Sequence, residues 1–201
     1  MKSNFLLITT TRHVTSKTRS LVKELSLSID NIIKINRGKM NILELFYKAK
    51  QYNCSRVIII GRGLEGNPGR ITFLLTDKEK PVFFPLILKL SGIKLAREIG
   101  HKSLKAPNTV VPIILNNDTD TSIEIFEFTQ EFSAAIDRPF LDISIEDIGT
   151  EFEKVIFIER AKRRKTKFII KFYDTKNKTF TGPILFVEKA VYIPHTSRIL
   201  I

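Results

Sequence analysis

Apolar positions along this chain switch between a strand spacing and a helical one, and the switches mark out the elements. Residues 4–10, NFLLITT, hold an apolar run that predicts a short buried strand, ended by Arg12. From Thr18 the spacing turns helical: Leu21, Val22, Leu25 and Ile29 share one face, and Arg19 and Lys23 share another. NIIKINR (31–37) predicts a second strand, with Gly38 as the turn behind it. A second helix starts at Asn41, where Glu44 stands at the capping-box distance, and buries Ile42, Leu45, Phe46 and Ala49. RVIII (56–60) follows without alternation, so both faces of that strand are expected to be covered.

ITFLLT (71–76) and PVFFPLILKL (81–90) predict further strands, the second placed at a sheet edge because Pro85 interrupts it. Residues 91–107 carry no period that assigns them. Then VVPIIL (110–115) reads as a strand. Thr121 is expected to cap a helix with Glu124 three residues on, and Ile125, Phe128, Phe132 and Ile136 form its buried stripe. KVIFIE, KFIIKFY and PILFVEKAVYI, from residue 154 to 193, complete the series as strands. The order predicts an α/β (α+β) fold of two similar halves, 1–100 and 101–201, joined around residues 91–110.

With 43% hydrophobic and 9% aromatic residues among 201, the chain is expected to build its own core. No apolar stretch approaches the roughly 20 residues of a membrane-spanning helix, and the N-terminal apolar run is too short for a secretory signal. The single cysteine, Cys54, excludes an internal disulfide and a cysteine-based zinc site, and fits a reducing interior. His13, His101 and His195 show no metal-ligand spacing, and no paired-carboxylate or Ser–His arrangement is readable, so neither a catalytic residue nor a cofactor or metal is expected.

Charge changes the picture more. The formal net charge is +12, unevenly spread: 20 basic and 7 acidic side chains in 1–115, 1 and 9 in 116–150, and 12 and 5 in 151–201. A basic surface of this size attracts a polyanion through counterion release, though a solubility charge or Lys enrichment gives the same totals. The acidic stretch 116–150 is no nucleic-acid face; it is plain surface or a dock for a basic protein.

One glycine-rich loop invites a nucleotide reading. In RVIIIGRGLEGNPGRITFLLT, Gly61 and Gly66 stand at the first two glycine positions of a P-loop, behind a buried strand. The Lys and Ser or Thr that such a loop requires are replaced by Asn67 and Pro68, and a strand follows instead of a helix, which argues against phosphate hydrolysis. Asn67-Pro68-Gly69-Arg70 instead predicts a type II turn that directs Arg62 and Arg70.

Two more basic clusters stand behind strands. One is TTTRHVTSKTRSLVK with Arg12, Lys17, Arg19 and Lys23; the other is INRGKMN with Arg37 and Lys39. C-terminal strand ends of an α/β unit gather on one edge, so Arg12, Arg37 and Arg62 are expected to be spatial neighbours. The charge run ERAKRRKTK (159–167) places Lys162, Arg163, Arg164 and Lys165 at a hairpin tip, either a solvated loop or a phosphate contact.

LLITTTRHVTSKTRSLVKEL, IKINRGKMNILEL and RVIIIGRGLEGNPGRITF, in that order, resemble the Brix domain of ribosome-biogenesis factors. The likeness is to the branch of the small-subunit processome protein associated with U3 small nucleolar RNA, and to its short archaeal relatives. GIKLAREIG (92–100) and ILNN (114–117) extend it past residues 5–73. HTSRILI, at 195–201, departs from the family's glycine-containing closing strand, and the long extensions of eukaryotic members are missing.

The resemblance implies two halves, each like the anticodon-binding domain of class II aminoacyl-tRNA synthetases, and RNA binding without catalysis. Arg12, Arg19, Asn36, Arg37, Gly38, Gly66, Asn67 and Pro68 fall on family motif positions. The expected function is a non-enzymatic factor that binds pre-rRNA in small-subunit rRNA processing and assembly, with a tRNA-binding accessory domain as the alternative. Expected RNA contacts are Arg12, Lys17, Arg19, Lys23, Arg37, Lys39, Arg62, Asn67, Arg70, Lys162, Arg163, Arg164 and Lys165. Ribosomal RNA or a guide-type small RNA is the expected partner, with ribosome-assembly proteins beside it and no membrane. A monomer is expected, in the cytoplasm of an archaeal cell or the nucleolus of a eukaryotic one.

Overall fold

A computed structural model describes residues 4–101, 105–115, 122–149, 151–162 and 165–193. Thr121, Arg163, Arg164, His195, HTSRILI and the Asn116–Asn117 end of ILNN lie outside the described residues.

Strand β1 (Phe5–Thr10) is the apolar run read from the sequence, and Leu6, Leu7 and Ile8 are fully buried. Helix α1 (Ser16–Ser26) starts earlier than its periodicity predicts, because Thr15 takes the N-cap and accepts from the Thr18 amide. Strand β2 keeps only Ile32–Lys34 of the expected seven residues. Helix α2 (Ile42–Gln51) carries the predicted capping box: the Glu44 amide donates to Asn41 Oδ1 at 2.9 Å, and the Asn41 amide to Glu44 Oε2 at 2.7 Å. Strands β3 (Cys54–Arg62), β4 (Pro68–Leu75) and β5 (Val82–Lys94) then run back and forth.

The second series is β6 (Ile113–Leu115), α3 (Ile123–Ile136), β7 (Phe140–Leu141), β8 (Lys154–Arg160), β9 (Phe168–Asp174) and β10 (Thr179–Tyr192). The predicted stripe of α3 is buried at Ile125, Phe128, Phe132 and Ile136. Its N-cap is Ser122, whose side chain makes no capping bond.

All ten strands of the described residues lie in one sheet, ordered β2-β1-β3-β4-β5-β10-β9-β8-β6-β7. From the β5–β10 seam outward, both sides repeat one plan: two antiparallel neighbours, then three parallel strands. Helices α1 and α3 share a single core on one face, built from residues of both sides such as Leu6, Ile60, Phe132 and Ile158. Each reaches past the seam: α1 packs on β10 as well as β1, and α3 on β3 and β5 as well as β6. On the other face, α2 covers Leu7, Val57 and Ile59, so β3 is indeed enclosed on both sides. At the corresponding place on the far side, Ile143, Ile145, Ile148 and Phe152, in a stretch without regular structure, cover Ile114, Val155 and Phe157.

Two expectations are overturned. Strand β5 is central, between β4 and β10, and not at an edge. Pro85 is tolerated because the β4 ladder jumps from Leu74↔Phe83 to Thr72↔Ile87, so Pro85 sits in a bulge where no N–H is asked of it. Nor do residues 67–70 form a type II turn. Pro68 opens β4, and the reversal lies earlier, at Leu64–Gly66, where Glu65 (φ 52°) and Gly66 (φ 79°) are left-handed.

Candidate nucleic-acid interface

Because β2, β1 and β3 are adjacent and parallel, Lys34, Thr10 and Arg62 end on one edge of the sheet, and the loops behind them carry the basic clusters. Between the first two loops lies a cavity of about 410 Å³ lined by Arg12, Arg19, Lys34 and Arg37, with His13 and Gly38 beside them. Gly38 (φ 56°) lets the chain fold back so that Arg37 Nε donates to the Met40 carbonyl at 3.1 Å and the Met40 amide to the Arg37 carbonyl at 3.1 Å. Arg12 Nη2 donates to the Lys39 carbonyl at 2.8 Å and so staples the two loops together.

Among the described residues, no carboxylate forms an ion pair with Arg12 or Arg37. Arg37 is 9% exposed, and burial, then the neighbouring charge of Arg12, lowers its pKa from the ordinary guanidinium value. Both guanidiniums donate to backbone carbonyls, which leave their net charge in place. An anion bound between them would relieve that repulsion.

The third loop is shaped by glycine contacts. A Cβ on Gly69 would stand 2.2 Å from Gly63 Cα, so the two backbones meet as only glycines allow. Gly63 donates its amide to the Asn67 carbonyl at 2.6 Å. Thr15, the cap of α1, also donates its hydroxyl to the Gly66 carbonyl at 2.5 Å, fixing this loop to the start of the helix. Arg70 lies across Gly61, where a Cβ would be 2.8 Å from its Cγ. Arg62, Asn67 and Arg70 are exposed around the loop. The Gly63 and Asn67 amides are thus spent within the loop, on the Asn67 and Leu64 carbonyls.

The remaining predicted contacts divide. Lys39 is exposed at the same edge. Lys17 is engaged by Glu98 at 3.5 Å, so part of its charge is spent within the fold. Lys23 is exposed in the last turn of α1, roughly 10 Å along the helix from Ser16. Lys162 and Lys165 belong to the β8–β9 hairpin; β8 runs opposite to β3, so its tip leaves from the far edge of the sheet. There Lys167 and Arg160 reach Glu124 of α3 at 2.7 and 3.9 Å.

Sequence reading missed Lys34 and His13 as cavity residues and Thr15 as the anchor. The hydroxyl-rich TTTRHVTSKT stretch was the one available signal for Thr15. Among the described residues no group of three or more His, Cys, Asp or Glu is placed to hold a metal ion, and no helix is long and apolar enough to cross a membrane.

No family model matches the chain. Curated relatives do. A probable Brix domain-containing ribosomal biogenesis protein of Pyrococcus horikoshii is 30% identical over 190 residues, which cover 91% of this chain and 83% of that protein. One of the same name from Thermococcus kodakarensis is 28% identical over 188 residues, 91% and 89% of the two chains. Among solved structures, a probable ribosomal biogenesis protein from Aeropyrum pernix K1 superposes with a TM-score of 0.74 at 24% identity, covering 92% of this chain and 96% of that one. Mil, an archaeal Imp4-like protein, gives 0.61 at 18% identity, covering 93% and 99%. Both share the fold.

Proposed function

This chain belongs to the family of Brix domain-containing ribosomal biogenesis proteins, and from that premise we propose that it is a non-catalytic factor that binds pre-rRNA during small-subunit processing and assembly. The observation that carries the reading is the cavity where Arg12 and Arg37, with Arg19 and Lys34, stand together on backbone carbonyl partners. Phosphates of the RNA take the place of the missing counter-charge, and Arg62, Lys39, Arg70 and Asn67 extend the contact along the same edge. Phosphate contacts position the RNA without reading sequence, so selection comes from shape and unpaired bases.

Residues 1–201 act as one Brix domain in which the N-terminal half holds the main RNA contact. Lys162 and Lys165 make a second, smaller contact from the other edge, and Arg163 and Arg164 are included in that reading by sequence alone. Ribosomal RNA or a guide-type small RNA is the partner, other assembly proteins join it, and the cytoplasm of an archaeal cell is the setting.

The test is RNA affinity against salt concentration. Replacing Arg12, Arg37 and Arg62 together by Ala is expected to flatten the slope of log K on log salt by about 2 to 3 units. An unchanged slope rejects the assigned edge.

A further inference from the structure

The cavity between the first two loops is built more closely than capture of a passing backbone requires. Arg12 Nη2 and Arg37 Nε donate to successive carbonyls, those of Lys39 and Met40. One short turn, closed by Gly38 (φ 56°), therefore holds both guanidiniums and places them before a ligand arrives.

Arg37 is the unusual member of the pair. It is 9% exposed, yet Nε is its only nitrogen with a hydrogen-bond partner among the described residues. The sealed side-chain atoms that lack a partner are Arg56 Nε, His101 Nδ1 and Thr181 Oγ1, so Nη1 and Nη2 of Arg37 still meet solvent. The solvent space that Arg37 lines is this cavity. A guanidinium fixed at Nε and open at its two outer nitrogens is a fork that matches two oxygens of one group. Arg19 and Lys34, both exposed, bring the cations of the lining to four, and no Asp or Glu stands among its described residues.

Charge and access select the ligand. An internal RNA phosphate carries one negative charge and has a sugar on each side. A terminal phosphate carries about −1.5 to −2 at pH 7, offers three acceptor oxygens and is tethered on one side only. Four cations around one cavity match the greater charge. A recessed guanidinium between two loops admits a chain end without the kink that a continuous backbone would need. Val14 and Ile35, half-buried in the wall, give the carbon face of the one attached ribose a place to lie. We propose that this cavity binds a phosphomonoester, the phosphate at one end of an RNA chain, with Arg37 as its fork and Arg12, Arg19 and Lys34 around it. The proposal rests on the RNA-binding reading above and deepens it.

The state of the RNA ends tests it. One short single-stranded RNA is prepared with a 5′-phosphate, with a 3′-phosphate, and with hydroxyls at both ends, and each is titrated into the full chain at the same ionic strength. At least one phosphorylated form is expected to bind about ten-fold or more tightly than the hydroxyl form, the worth of one charge-assisted hydrogen bond. Arg37→Lys keeps the charge and removes the fork, so it should lose most of that preference, whereas a gain from added charge alone would survive. Lys34→Ala, at an exposed position, should lower the preference too and serves if the buried variant fails to fold. In a second arm inorganic phosphate, against chloride at equal ionic strength, is expected to shift the Arg37 Nε–H NMR signal saturably. Equal affinity for all three RNAs, a preference that survives in every folded variant, or an unmoved Arg37 signal overturns the proposal. Salt-dependent binding of all three RNAs alike rejects the end-phosphate assignment alone, whereas an Arg37 response to phosphate in a chain that binds no RNA rejects the functional reading.

Discussion

Arg138 and Asp30 form a buried ion pair across 108 residues of chain: Nε lies 2.8 Å from Oδ1, with the side chains 0% and 3% exposed. Arg138 Nη2 also donates to the Asp30 carbonyl at 2.6 Å, and the same carboxylate oxygen accepts the Val111 amide at 2.9 Å. Asp30 follows α1, Arg138 follows α3, and Val111 precedes β6, so one carboxylate ties the two sides of the sheet together. Removing Arg138 takes the charged donor from a buried carboxylate. Arg138→Met is therefore expected to destabilise the fold by about 3 to 5 kcal/mol in urea melts, and Asp30→Leu combined with Arg138→Met to recover part of that loss.

The Gly63–Gly69 contact predicts a steric effect that reaches RNA binding. Gly69→Ala sets a methyl against backbone, which has no side chain to move aside, and should cost about 2 to 3 kcal/mol. Thr15→Val removes both a helix cap and the bond to Gly66, for about 1 to 2 kcal/mol. Both variants should also weaken RNA binding, because Arg62 and Arg70 flank the displaced loop; thermal melts and RNA titrations at one salt concentration read the two effects.

Position on the sheet separates the two basic regions. Replacing Lys162 and Lys165 by Ala should change the salt slope of RNA binding by less than about 1 unit, while the Arg12, Arg37 and Arg62 replacement changes it by more. Equal effects would mean that RNA spans both edges.

Asp137 predicts acid sensitivity. Burial works to raise its pKa, but hydrogen bonds from Ser55 at 2.5 Å and Asn4 at 3.0 Å, with the charges of Arg56 and Arg138, hold it below the usual aspartate value. A carboxyl depressed in the folded state contributes stability that is present above the unfolded pKa and is lost as pH falls through the folded one. The melting temperature should thus drop from about pH 5 to pH 3, and Asp137→Asn should flatten that drop while lowering stability at neutral pH.

Cys54 is 4% exposed, and burial pushes its thiol pKa up to about 11. The native chain should resist a thiol-specific disulfide reagent at pH 8 that reacts at once in denaturant. Stability from the neutral thiol is full below the ordinary value of 9.0 and lost as pH rises toward the folded one.

What the sequence disclosed was local. The α2 capping box spans four residues and the α3 stripe one helix, so both were legible without the fold. Pro85 misled because a proline's tolerance depends on which strands flank it and where the ladder bulges, neither of which is a local property. The Asn67–Arg70 turn misled because pairing with β3 begins at Pro68, which turns a four-residue reversal signal into the start of a strand. At the candidate interface, Arg12 and Arg37 could be placed together because parallel strands end on a common edge. The Thr15–Gly66 bond, between residues 51 apart in sequence, arises only from tertiary packing.

The flanks of the sheet carry one more consequence. Among the described residues, the strands at its two edges are short, β2 with three residues and β7 with two. So little free backbone gives an incoming chain almost no template to copy. Two copies of this chain would therefore find little edge along which to join sheet to sheet.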